Sequence, residues 1–282
     1  MKHISLVAGL AIALIMMPAC KNGQKKAAVP FKGNATEIVD SIKVQAMDLF
    51  KAIRAEQSKM IQGATLLPEN IRVVPSRFFM PLDASKNAVT LAQQCALIGV
   101  YSVDNQYDKL CYGTTDVKLR NNELVKLSAQ ANLQGDAQSE VERLNGMSQE
   151  DFNAEVDKMA IEKFEQALED NDADCYLIIL LYSVVESALD QEAVFEAKNG
   201  YIDDEQIVSD IAPMYPTFSN VIQLVEILKP YYSTLNIIAP MVDKLKAVIN
   251  ADTPENKSIA TLNAFDYAKE MRGRLNVSVN AD

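Results

Sequence analysis

The side chains able to do chemistry are unevenly spread along this chain of 282 residues. Two acids fall inside apolar stretches. Asp104 shares a helical side with Leu97, Tyr101 and Cys111. Glu186 lies between an apolar stripe of Cys175, Ile179 and Tyr182 and a polar stripe of Ser183, Ser187 and Asp190. A carboxylate among aliphatic and tyrosine side chains must find hydrogen bonds, because burying it unpaired is costly. It can take them from tyrosine hydroxyls and hold helices in register, or it can line a pocket for a small molecule. Either environment would move its pKa. The candidate set is therefore Tyr101, Asp104, Tyr107, Tyr182 and Glu186, with a structural polar network as the simpler reading. The concentration of Tyr101, Tyr107, Tyr112, Tyr176 and Tyr182 in the same two segments is first of all helical core packing.

Other constellations fall away on chemical grounds. Asp170, Asp172 and Asp174 open like a calcium loop, but Cys175 and Leu181 stand where that loop needs its turn glycine and its bidentate glutamate. They read better as acids capping a helix start. A di-iron bundle needs Glu-x-x-His on facing helices, and none is present. No metal or other cofactor is expected. Cys95 and Cys111 are 16 residues apart in one expected helix, about 24 Å along its axis, too far to bridge. Buried free thiols are the expected state of Cys95, Cys111 and Cys175, with a pairing of Cys175 to one of the others left open.

The sole histidine, His3, precedes an apolar run of 14 residues from Ile4 to Met17. A membrane-spanning helix needs roughly 20 residues, an export signal about 7–15. Met17-Pro18-Ala19-Cys20 resembles a bacterial lipobox, the site where lipoproteins are cut and acylated. Residues 1–19 are thus expected to be a signal peptide, 20–34 a basic tether lipidated at Cys20, and 35–282 one helical domain. Cleavage would remove His3 and with it histidine-based catalysis and every histidine-ligated metal. The chain without residues 1–19 holds 26 basic and 38 acidic residues; from residue 33 onward 22 basic residues face the same 38 acids. A basic tether suits an anionic lipid surface. The acidic body argues against nucleic acid, whose binding rests on neutralising phosphates.

An apolar period near 3.6 recurs almost throughout, which predicts an all-α multi-helix bundle of about 8–10 helices. The two packed sub-bundles that this length allows would meet at a seam near 199–204. Helices are expected at about 35–62, 85–112 (begun by Ser85), 115–133, 148–170, 172–198 and from Asp203. Further helices follow from Pro216, from Pro230 with a break at Pro240, and over 255–272 before Gly273. A short piece is expected at 136–146. Residues 64–83, with three prolines, form a connector lying over the core.

The segments ALIGVYSVDNQYDKLCYG (96–113), LVKLSAQANLQG (124–135) and YSVVESALD (182–190) are similar to a pattern in an uncharacterised family of all-helical Bacteroidota lipoproteins. In that family GVY-x-x-D-x-x-Y precedes a helix ending in a Leu-Gly step; here Gln134-Gly135 stands at that step. The resemblance implies an all-helical, periplasm-facing lipoprotein and draws attention to Tyr101, Asp104, Tyr107 and Glu186. It carries no known activity. Together these readings lead to the expectation of a non-enzymatic envelope lipoprotein. It would be anchored in the outer membrane through acylated Cys20, face the periplasm or alternatively the cell surface, and act on another envelope protein as an interaction or accessory subunit. The alternatives are a small-ligand binding protein with its pocket between the Asp104 and Glu186 helices, and a carboxylate-based hydrolase.

Overall fold

A computed structural model describes residues 38–63, 79–111, 115–131, 149–199 and 204–276. Within these, the side chains of Tyr107 and Cys111 lie outside the description, as do Cys20, the rest of the signal and tether, and the expected helix at 136–146. The described residues form nine α-helices: α1 Asp40–Gly63, α2 Leu91–Cys111, α3 Thr115–Gln130, α4 Gln149–Glu169, α5 Asp174–Asn199, α6 Asp204–Ile211, α7 Tyr215–Leu228, α8 Ala239–Asn250 and α9 Pro254–Asn276. Short 3-10 turns occupy Leu82–Asn87, Ala212–Met214 and Ser233–Ile237. No strand occurs among the described residues, so the protein is all-α.

The architecture follows from α5. It is the least amphipathic of the long helices: Leu177 to Leu181 are no more than 2% exposed, and Val184 is equally buried. A helix apolar all round must be covered on every side. Here α2 covers one face, and α6, α7 and α9 take others. Outside this centre, α3 packs on α2, α1 on α4 and α7, and α8 on α7 and α9. Phe50 of α1 stacks on Phe164 of α4 with ring centroids 4.2 Å apart. One continuous apolar core runs from Ile38 to Leu275 and includes residues on both sides of the expected seam.

Several helix ends differ from the expected ones, for local reasons. Ser85 does not open α2; it lies in the 3-10 turn. Thr90 opens it instead. Its hydroxyl accepts from the Gln93 N–H (3.2 Å), while the Gln93 side-chain oxygen accepts from the Thr90 N–H (3.1 Å). This reciprocal pair is a Thr-x-x-Gln capping box, satisfying two amide donors that a helix start leaves orphaned. Pro240 lies in the first turn of α8 rather than breaking a longer helix, because a missing N–H costs nothing there. Helix α9 passes through Gly273, where a Cβ would meet nothing within 4 Å. At the α4–α5 junction Asn171 adopts φ 61°, and the Asp172 N–H reaches back to the Ala167 carbonyl at 2.9 Å. That left-handed residue with its long return bond closes α4. Asp174 then sits in the first turn of α5 and accepts from the Thr234 hydroxyl at 2.5 Å. The three aspartates are junction residues.

Helices α2 and α5 approach to backbone distance at Gly99. A Cβ there would lie 2.7 Å from the Ile179 carbonyl oxygen and 3.1 Å from the Ser183 nitrogen. The Ser183 hydroxyl donates to the Gly99 carbonyl at 3.2 Å. The Gly99→Ala variant must push the two helices apart, since the obstacle is backbone. Overpacking of this kind costs about 1–3 kcal/mol. Its urea midpoint is expected to fall accordingly, with an unchanged midpoint as the contrary result.

Candidate functional site: a buried carboxylate cluster

One turn beyond the Gly99 contact, Asp104 of α2 meets Glu186 and Asp190 of α5. Glu186 and Asp190 are one helical turn apart, so both present carboxylates to the same side. All three residues are at most 1% exposed, and their carboxylate oxygens lie within 4.8 Å of one another. Asp190, placed on a polar stripe by the sequence, is therefore inside the protein. So is Ser183, because that stripe faces α2. Glu186 has left the stripe boundary for the same interior.

Two cationic side chains answer these acids. Arg272 of α9 donates from Nε to Glu186 Oε1 at 2.6 Å. Arg120 of α3 is 3% exposed, lies 5.4 Å from the centroid of the Phe79 ring, and acts on Asp104 and Asp190 through its charge. The strap before α2 adds a neutral donor: the Met80 N–H bonds Asp104 Oδ2 at 2.6 Å. Burial raises the Asp104 carboxyl above its ordinary value, against the pull of Arg272, Arg120 and the Met80 N–H. Burial together with the negative charge of its neighbours pushes Glu186 and Asp190 well up. Burial by itself would lower the Arg272 pKa, but Glu186, Asp104 and Asp190 hold it above its ordinary value.

Counting charge decides what this cluster is. Among the described residues three carboxylates face two guanidiniums, one negative charge more than these two cations answer. Two oxygens, Asp104 Oδ1 and Asp190 Oδ2, are buried and have no donor. An ionised carboxylate cannot donate to another; a protonated one can. One retained proton, shared among the three acids, would neutralise the cluster and supply a missing donor. Asp104, which has the Met80 amide, is the member best kept ionised; burial and neighbouring charge dispose Glu186 and Asp190 to hold the proton. The three acids are also the one group among the described residues whose geometry could hold a metal ion. A divalent cation would raise the positive charge in this interior to four against three, with Arg272 already seated on Glu186. The proton is the better fit.

The sequence-chosen residues divide accordingly. Asp104 and Glu186 come together. Tyr101 is fully buried one turn before Asp104, but its hydroxyl donates to the Pro81 carbonyl at 2.7 Å and accepts from the Ser85 N–H at 3.2 Å. It ties the 3-10 turn to α2 rather than bonding a carboxylate, and burial raises its pKa. Tyr182 is half-buried and faces Tyr267 and Arg274; burial pushes it up to about 12. It takes no part in the cluster. In place of Tyr101 and Tyr182, a backbone amide and two arginines serve the acids, while the Tyr107 side chain lies outside the described residues. Asp190, Arg120 and Arg272 were not singled out; the four-residue spacing of Glu186 and Asp190 was the one available signal.

Two spaces among the described residues lie elsewhere. An internal apolar cavity between α5, α7, α8 and α9 has a volume of about 20 Å³ and is lined by residues such as Leu189, Phe218 and Phe265, room for about one water-sized sphere. A surface hollow of about 370 Å³ lies between the 3-10 turn and α3, at Asp83, Ser85, Lys86, Glu123 and Lys126. Asp104 and Glu186 line neither. Comparison of the chain with protein-family models, curated proteins and solved structures returns no match.

The cluster makes stability depend on pH with a definite sign. Acids whose folded pKa is raised contribute fully below their unfolded values near 4 and lose that contribution as pH rises through the folded values. The thermal midpoint is expected to fall on this alkaline side. Asp190→Asn keeps the shape and removes the surplus charge, so it should flatten that fall and raise the midpoint at pH 8. Parallel profiles for the two proteins would refute the charge count. Arg272→Met leaves Glu186 buried without its cation, which costs about 3–5 kcal/mol for a fully buried pair. The Arg272 side chain is 22% exposed, so a denaturant titration should give the lower end of that range.

Proposed function

We propose that this is a lipid-anchored, non-enzymatic helical protein of the bacterial envelope, acting as an accessory or interaction subunit for another envelope protein. The anchor is the acylated Cys20 of the lipobox-like segment, in the outer membrane with the body on the periplasmic side. The observation that carries the non-enzymatic part is the burial of Asp104, Glu186 and Asp190, at most 1% exposed and held by Arg272 and the Met80 amide. A glycosidase-type acid pair needs an open cleft that admits the substrate and a water. The small-ligand alternative requires Asp104 and Glu186 on a cavity wall, and neither lines the cavities described above. The loose motif resemblance over 96–190 is in keeping with the same kind of protein.

No helix among the described residues is long and apolar enough to cross a membrane. In this reading the acyl chains supply the attachment, about 0.8 kcal/mol per buried CH₂. The acidic body lends itself to a partner with a basic face, bound through a few apolar or aromatic anchors.

Expression in a Gram-negative host with a radiolabelled fatty acid tests the anchor. The wild-type chain should incorporate label, fractionate with membranes and show the intact mass of a protein starting at Cys20. Cys20→Ser should do none of these, and retention of Met1 in the wild-type product would refute the reading. Cross-linking in native membranes followed by affinity capture should return one reproducible envelope protein.

A further inference from the structure

The buried thiols of Cys95 and Cys175 have no role in the cluster, yet they share its helix pair. The contacts along α2 and α5 run in the same order: Cys95 with Cys175, Gly99 with Ile179 and Ser183, Asp104 with Glu186 and Asp190. The two helices are therefore parallel. Cys95 lies one turn before Gly99 and Cys175 one turn before Ile179, so the thiols meet beside the point where the backbones touch. Cys95 is 0% and Cys175 7% exposed, both are free thiols, and the Cys95 sulfur is near enough to act on the Cys175 thiol. Disulfides need Cα atoms about 4.4–6.8 Å apart, a spacing that ordinary helix pairs with axes 8–10 Å apart reach only at their closest line of contact. Gly99 sets that line here.

We propose that Cys95 and Cys175 are a modification site: in the exported protein they close to a disulfide that clamps α2 to α5. This rests on the export reading above, since thiols oxidise and stay oxidised outside the reducing cytoplasm. The oxidant is a disulfide of the dithiol–disulfide exchange class. One cysteine thiolate attacks a sulfur of that disulfide, forming a mixed disulfide and releasing the first thiolate. The second cysteine thiolate then attacks the protein's own sulfur in the mixed disulfide, forming the Cys95–Cys175 bond and releasing the second thiolate. The two cysteines lose two protons and two electrons; the oxidant gains both and becomes a dithiol. The neighbouring Cys95 sulfur and burial raise the Cys175 thiol well above its ordinary value, and the burial of both sulfurs keeps an oxidant from the docked pair. Closure belongs to the folding chain, before α2 seats fully on α5.

The test uses full-length protein purified from envelopes without reductant, quenched in acid and alkylated in denaturant. Expected is a peptide pair joining Cys95 to Cys175, about 2 Da lighter than the two free peptides and separated by reductant. Reduction should lower the thermal midpoint by roughly 5–10 °C, and the Cys95→Ser/Cys175→Ser double variant should show no such drop. Full alkylation of both cysteines in protein acylated at Cys20 overturns the clamp and leaves the envelope reading standing. So does a bond from either one to Cys111. If Cys20 is not acylated, refolding with oxidised glutathione decides: a Cys95–Cys175 bond upholds the pair, two alkylated thiols overturn it.

Discussion

A surplus of buried negative charge governs the rest of this molecule. Asp104, Glu186 and Asp190 are buried where Arg120, Arg272 and the Met80 amide come to them. Those partners arrive from α3, α9 and the strap before α2. The cluster thus forces four elements around α5 into fixed positions. Apolar burial drives the bundle together without caring much about register; a charge network in low dielectric tolerates far less displacement. Removing the whole cluster for aliphatic side chains of equal volume would leave a greasy bundle with weaker reasons to adopt this packing over others.

The Gly99 contact is the complementary constraint. It brings α2 and α5 near enough for the Ser183 hydroxyl to reach a main-chain carbonyl and for a one-turn spacing to set the acids opposite each other. Small residue, hydroxyl and carboxylates therefore form one line along the α2–α5 seam, which runs from the two sulfurs at one end to the charges at the other. Tyr101, on the same helix, turns away from that line to hold the 3-10 turn. In doing so it positions the preceding strap, and with it the amide that Asp104 needs.

The all-helical fold was plain in the sequence because apolar spacing near 3.6 and the Pro residues at boundaries speak locally. Asp174 and Pro216 mark helix starts close to where they occur. Ser85 and Thr90 are alike in type as caps; only the reciprocal bond with Gln93 separates them. Gly273 looked like a stop because its freedom to end a helix is local, whereas the packing of α9 that carries the helix on to Asn276 is not. The site was half legible. Asp104 and Glu186 stood out as acids in apolar surroundings, but Asp190 looked like one more residue on a wet stripe. Arg272 lies 86 residues from Glu186, and nothing in the intervening chain announces that they meet. Which charges pair inside a bundle is settled by the fold as a whole, and a one-dimensional pattern records only each partner's own neighbourhood.

That long separation also sets an order of events. Arg272 belongs to α9, the last of the described helices, so a chain growing from its N-terminus carries Glu186 and Asp190 for many residues before this counter-ion exists. Until α9 emerges, the central helices lack one means to dehydrate their acids, and premature collapse is discouraged. The α2–α5 seam is in effect locked from a distance, and a nascent copy keeps it pliable until α9 has been made.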